Sequence, residues 1–192
     1  SVSYFTDWGS AGVGNLWCKF RESEAIPEII VGSTKANKKF HPISSVDPVA
    51  CTEQLGVPGN WHERLPHFKL EFTPSVGEEI QTEFFVDRKD AVAAIEAISK
   101  LGSEITPLLW ITELRTFAAD HLWLSGAFER DSLGIHFTWK KLDAIYPVIE
   151  KVESALRPFN YRPHWGKVFM ADSSYLKSVY SKMGEFQSLI KA

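Results

Sequence analysis

From residue 79 onward the chain switches between two hydrophobic rhythms. Glu79 to Val86 alternates polar and apolar side chains, the period of a strand with one buried face. Asp87 to Lys100 then carries Ala91, Val92, Ile95 and Ile98 near helical spacing, with Asp87 as N-cap and Gly102 as the stop. Leu108 to Thr116 and Gly134 to Lys140 read as strands. Leu142 to Leu156 reads as a helix with Ile145, Val148, Ile149, Val152 and Leu156 on one face, closed by Arg157-Pro158. Arg162 to Met170 is expected as a strand and Ser173 to Ile190 as one last helix. Strand–helix–strand thus occurs twice, over 79–116 and 134–170. Two such units predict an α+β fold: a mostly antiparallel sheet with helices on one face, of ferredoxin-like character.

The first third is less regular. Ser3 to Trp8 and Asn15 to Phe20 flank a glycine-rich turn at residues 9–14, which predicts a hairpin over 2–21. A charged connection, Arg21 to Lys39, leads into a Pro-rich stretch from His41 to Pro66. So long a loop inside a compact domain is usually functional or interfacial.

Composition narrows the class. The 192 residues are 44% hydrophobic and 23% charged, which suits a single globular domain spanning 1–192. A net charge of −3 leaves no electrostatic footprint for nucleic acid or an anionic membrane. No apolar run approaches the length of a membrane span. Two cysteines, Cys18 and Cys51, are too few for a disulfide scaffold, and Cys18 sits in a strand-like run as a small apolar side chain. A cytoplasmic setting is expected. The chain opens directly on strand-like sequence without Met and stops beside a helical segment, so a piece of a longer protein is expected.

The period of two also sorts polar groups. Gln81, Glu83 and Phe85 share a face, as do Glu113 and Arg115, His136, Thr138 and Lys140, and Trp165 and Lys167. If the apolar faces meet the helices, Gln81, Glu113, Arg115, Thr138 and Lys167 converge on the open side of the sheet. Such a mixed donor and acceptor set suits a small polyhydroxyl or carboxylate ligand. The plainer reading of Glu113–Arg115 is a surface ion pair, and of Lys167 and Lys140 solvated lysines. No nucleophile elbow, zinc spacing or phosphate-cradling loop accompanies them, so no metal is expected.

Several motifs carry a resemblance. They are His41-Pro42, Val46-Asp47-Pro48, the run 51–59 from Cys51 to Gly59, and the run 61–68 from Trp61 to Phe68. Ile111 to Thr116, His136-Phe137-Thr138-Trp139 and Arg162-Pro163-His164-Trp165-Gly166-Lys167 follow in order. Over almost the whole chain this resembles the alditol oxidase branch of the flavin-dependent sugar-alcohol and aldonolactone oxidases, vanillyl-alcohol-oxidase-type flavoproteins. The resemblance implies a substrate-binding cap domain, with FAD bound mainly by a separate N-terminal domain that this chain lacks. It implies that the isolated chain is inactive and holds no FAD tightly, and that its partners are a small polyol or lactone and its own FAD-binding domain. It maps the substrate pocket onto Gln81, Glu113, Arg115, Thr138 and Lys167. Arg115 and Lys167 would hold the reacting hydroxyl, Glu113 would accept hydrogen bonds from substrate and anchor Arg115, and Gln81 and Thr138 would fix the polyol chain. No residue stands out as a general base at neutral pH.

Two alternatives accompany that reading. One is the cap of an aldonolactone oxidase or dehydrogenase. The other is a standalone α+β module binding a small polar ligand or a partner, which should be polar on all sides, whereas a cap should leave a Trp-rich apolar docking surface.

Overall fold

The computed structural model describes residues 1–9, 14–28, 30, 32–72 and 77–191. The turn expected at residues 9–14 falls mostly outside them. The two strands that flank it, β1 (Val2–Thr6) and β2 (Gly14–Cys18), pair antiparallel as a hairpin. The Pro-rich stretch holds a 3-10 turn at Pro48–Ala50 and a four-residue helix, α1 (Trp61–Arg64). Then follow β3 (Glu79–Asp87), α2 (Ala91–Ser99), the one-turn α3 (Gly102–Ile105), β4 (Leu109–Phe117), β5 (Ser132–Lys140), α4 (Ile145–Leu156), β6 (Arg162–Pro163), α5 (Ser173–Val179) and α6 (Met183–Leu189).

The six strands form one antiparallel sheet in the order β2-β1-β4-β5-β3-β6. The last four strands, with α2 and α4, make the β-α-β-β-α-β arrangement of a ferredoxin-like fold, and the hairpin extends its β4 edge. The covered face bears Phe84, Val86, Leu114, Ile135, Phe137 and Trp139 against Ala94 and Ile98 of α2 and Ile145, Val148, Ile149, Val152 and Leu156 of α4. Burial of such side chains contributes roughly 1.5–3 kcal/mol each before entropy is counted. Thr82 and Thr112 also face this core, and each accepts from an indole: Trp139 Nε1 at 3.0 Å and Trp8 Nε1 at 2.8 Å. Two hydroxyls that look misplaced in an apolar face are thereby satisfied.

Three boundaries differ from expectation. Gly102 does not stop a helix; Lys100 is the C-cap of α2, and Gly102 starts α3. Its role is close packing, because a Cβ there would lie 2.5 Å from the Trp8 carbonyl oxygen. The helix expected over Ser173–Ile190 is two helices. Tyr180 leaves the helical region (φ −106°, ψ 89°), its hydroxyl donates to Pro163 O at 2.7 Å, and Arg162 Nε caps Val179 O at 2.9 Å. Two core contacts outweigh local propensity there. The strand expected over Arg162–Met170 is regular only at Arg162–Pro163. Asp87 does cap the next segment, accepting from Lys89 N at 3.1 Å. Cys18 and Cys51 are both free thiols. Among the described residues no helix is long and apolar enough to cross a membrane.

Candidate functional site

The open face of the sheet carries the polar groups in register. Glu83 of β3, His136 of β5 and Glu113 of β4 form one cross-strand row. Gln81 and Thr138 pair in the row on one side, and Ser3, Arg115, Gly134 and Phe85 fill the row on the other. Directly opposed side chains on a sheet stand about 4.5–5.5 Å apart, so four strands deliver these groups to one patch.

Side-chain geometry welds the patch together. Arg115 donates from Nη1 to Glu113 Oε2 at 3.2 Å and from Nη2 to Glu83 Oε1 at 2.9 Å. Lys167 Nζ donates to Glu83 Oε2 at 2.6 Å. Glu83 and Glu113 are only 2% and 7% exposed, which rules out the surface ion-pair reading. Lys167 is likewise no solvated lysine, its side chain being 15% exposed. Lys140 lies apart, bonding Pro107 O and stacking over Trp110.

Lys167 arrives by a route the alternation missed. His164 N and Val168 N both pair with β3, donating to Glu83 O and Gln81 O, while Lys167 N closes a tight turn on His164 O. Residues 164–167 therefore bulge out of the edge and return. Gly166 N donates to His164 Nδ1 at 3.0 Å within that bulge. The bulge, and no strand, aims the Lys167 ammonium back over β3.

Charge states follow from this packing. Burial would raise the Glu113 carboxyl, but the His67 hydrogen bond and the Arg115 charge outweigh it and hold it at about 2. For Glu83 the same opposition, burial against Arg115 and Lys167, ends below the ordinary carboxylate range. Burial pushes the Lys167 ammonium down, and Glu83 resists the shift. His136 is driven down to about 4 by burial and by the Lys167 charge, so it is a neutral imidazole at pH 7. Its Nε2 lies 3.3 Å from Gln81 Oε1, which assigns the proton to Nε2 and leaves the other ring nitrogen as an acceptor.

The site also has a wall that the sequence did not disclose. His67, at the end of the Pro-rich stretch, reaches Ser3 Oγ at 3.0 Å and Glu113 Oε1 at 3.2 Å. Its ring packs edge-on against Phe5 and Trp17. Lys19 fastens the same stretch by donating to Leu65 O and Pro66 O at 2.6 and 2.8 Å. Ser3, His67 and Glu113 do not form a nucleophilic triad. Both partners meet the same ring nitrogen, and Nδ1 is buried without a partner.

Five residues were expected here. Glu113, Arg115 and Lys167 lie in one ion network, Gln81 meets His136, which stands in register between Glu83 and Glu113, and Thr138 stands opposite Gln81. Glu83, His136, His67 and Ser3 were not among the five. Alternation put Glu83 and His136 on the right face, but nothing local marked them as central. Among the described residues no group of three His, Cys, Asp or Glu could hold a metal ion.

Beside this patch an open pocket of about 360 Å³ is lined by Phe85, Phe117, Leu124, His164 and Trp165. A second groove shares Leu124 and Trp165 and continues over Leu176, Met183, Phe186 and Ile190. The two make one apolar margin next to the charged cluster.

Comparison with known proteins agrees with this geometry. A family model described as D-arabinono-1,4-lactone oxidase matches residues 76–192. The alditol oxidase of Streptomyces sp. (strain IKD472 / FERM P-14339) is 41% identical over 192 residues, covering 100% of this chain and 46% of that protein. The chain thus spans about half the length of the curated relative it matches. A ferredoxin-like sheet with an ion network on its open face, matched over β3 to α6 by one family model, has a single consistent assignment: the chain belongs to the D-arabinono-1,4-lactone oxidase family.

Proposed function

We propose that this chain is the substrate-binding side of an FAD-dependent oxidoreductase that oxidises the CH–OH group of sugar alcohols, with oxygen as acceptor. The observation that carries the reading is the Glu83–Arg115–Glu113 and Glu83–Lys167 network on the open sheet face, with neutral His136 at its centre. Two carboxylates balance two cations there. A charge-balanced site suits a neutral polyhydroxyl compound better than a phosphorylated or carboxylated one.

The donor set fits contact with substrate beside a flavin, and fits less well the task of holding the flavin itself. Among the described residues no glycine-rich turn opens a helix as a diphosphate cradle. FAD is accordingly proposed to be held mainly by an FAD-binding domain of the full-length protein. When bound, FAD supplies a hydride acceptor for the carbinol carbon.

The residues of this chain prepare that carbon. Arg115 and Lys167 grip the reacting hydroxyl and stabilise negative charge as it develops on oxygen. Glu113 accepts from neighbouring hydroxyls and holds the Arg115 fork in plane. Gln81 and Thr138 order the polyol chain, and the neutral His136 imidazole offers an acceptor nitrogen in the neighbouring row. The Trp165 margin supports docking of the second domain, because an apolar surface of this kind is seldom left open to water. That margin also disfavours a self-sufficient binding module.

An aldonolactone is the second reading, since the matching family model carries that substrate in its description. Identity to an alditol oxidase along the entire chain favours the alditol. A cytoplasmic setting belongs to the same proposal, in keeping with two free thiols.

The test is expression of the full-length protein, a flavin absorbance spectrum, and peroxide release with polyols compared against aldonolactones. Arg115→Ala and Lys167→Met should each lower kcat/KM by about 10²–10³-fold. Near-normal turnover in either variant would sink the role assignment, and a colourless full-length protein would sink the flavin reading.

A further inference from the structure

Glu83 is the most deeply buried charge of the site, its side chain 1% exposed. Both carboxylate oxygens are occupied by cations from different elements, Arg115 at 2.9 Å and Lys167 at 2.6 Å. β3 and β4 are not neighbours, because β5 runs between them. Their backbones therefore stand roughly 10 Å apart, two strand spacings. The bridge spans that distance over a glycine. A Cβ on Gly134 of β5 would lie 3.3 Å from Glu83 Oε1 and 2.6 Å from Phe117 Cε2. The Phe117 ring in turn supports the Arg115 guanidinium, 5.5 Å from its centroid. Glycine at 134 thus keeps a channel across the middle strand through which one carboxylate reaches two cations.

We propose that Glu83 is a positioning residue that holds Arg115 and Lys167 as a single clamp aimed at the substrate hydroxyl, without touching substrate itself. This role presupposes the substrate-site reading above. Two cations crowded on one face repel each other, and a buried carboxylate between them is what lets them converge. Around Lys167 the charged and titratable neighbours are Glu83 of β3, Glu113 and Arg115 of β4, His136 of β5 and His164 on its own segment. Glu83 contributes most to keeping the ammonium protonated against its burial. Neutralising Glu83 removes that support.

The experiment uses the full-length flavin-bearing protein as wild type, Glu83→Gln and Glu83→Asp, with folding checked by thermal melting. The Lys167 titration is followed by NMR of 13C-labelled lysine, the resonance assigned with Lys167→Arg. In Glu83→Gln this titration should move to lower pH, and the alkaline limb of the kcat/KM profile should move with it. The loss in kcat/KM should then reach about 100-fold at pH 8 and stay under about tenfold at pH 6. Glu83→Asp keeps the charge but shortens the reach, so its titration should stay near that of wild type while kcat/KM falls about tenfold at every pH. A Lys167 titration unmoved in folded Glu83→Gln overturns the proposal whatever the turnover. Wild-type kcat/KM in Glu83→Asp overturns it too, even if Glu83→Gln fails to fold. A shifted Lys167 titration in a protein with no polyol turnover would instead refute the functional reading and leave the clamp standing.

Discussion

Glu113 links the chemistry of the site to the stability of the fold. Its carboxyl is held at about 2, below the 4.5 of an ordinary glutamate, because His67 and Arg115 outweigh its burial. A depressed carboxyl stabilises the fold above its unfolded pKa and loses that contribution as pH falls through the folded value. The window is therefore pH 5 down to 2, with an amplitude on the order of 3 kcal/mol. Urea midpoints measured across that range should fall steeply for wild type and less for Glu113→Gln. A difference between the two that stays constant from pH 5 to 2 would contradict the pairing. Glu113 and Arg115 were legible as a same-face pair from alternation alone. That Glu113 is buried, Arg115 half-buried, and the pair tied through Arg115 to Glu83 and so to Lys167 was not, because these partners lie on other elements and 30 or more positions away in sequence.

At the scale of elements, the Pro-rich stretch and β5 determine whether the patch keeps its shape. The stretch is pinned to the hairpin by His67 and Lys19 rather than by regular structure. His67→Ala removes both hydrogen bonds and the packing between Phe5 and Trp17, so residues 41–68 should become more open to proteolysis and amide exchange while α2 and α4 keep their protection. Equal acceleration in the helices would show global unfolding instead. Gly134→Ala tests the middle strand. Its Cβ would force the Phe117 ring to move, which should destabilise by about 1–3 kcal/mol in denaturant titration. An unchanged midpoint would mean the ring yields freely. The periodic elements β3, α2, β4, β5 and α4 were readable within a few residues, because one repeated spacing dictates one buried face. The region after Arg162 was not. Its bulge, and the break at Tyr180, exist because the Tyr180 hydroxyl and Arg162 find partners in distant backbone carbonyls.

At the scale of the molecule, charge and apolar surface are segregated. The balanced ion network lies at the centre of the open face, and Phe85, Phe117, Trp165 and the α5–α6 groove border it. If that border receives the FAD-binding domain, Trp165→Glu should lower the melting temperature of the full-length protein, loosen retention of flavin, and leave α2–α4 protection intact. Wild-type flavin retention would place the docking surface elsewhere. The border could not be drawn from seven tryptophans in the sequence, since Trp139 is fully buried and Trp165 is 43% exposed with nothing local to separate them.

Sequence by itself determined the α+β class, the two strand–helix–strand units, the buried faces of α2 and α4, and the shared polar face of Gln81, Glu113, Arg115 and Thr138. Those depend on spacing, and spacing is local. Tertiary structure alone decided that Glu83 is the hub, that His67 closes the wall, and that Lys167 reaches the site from a bulge. The first rests on strand order and on one missing side chain at Gly134, and all three bring together groups that no period along the chain connects.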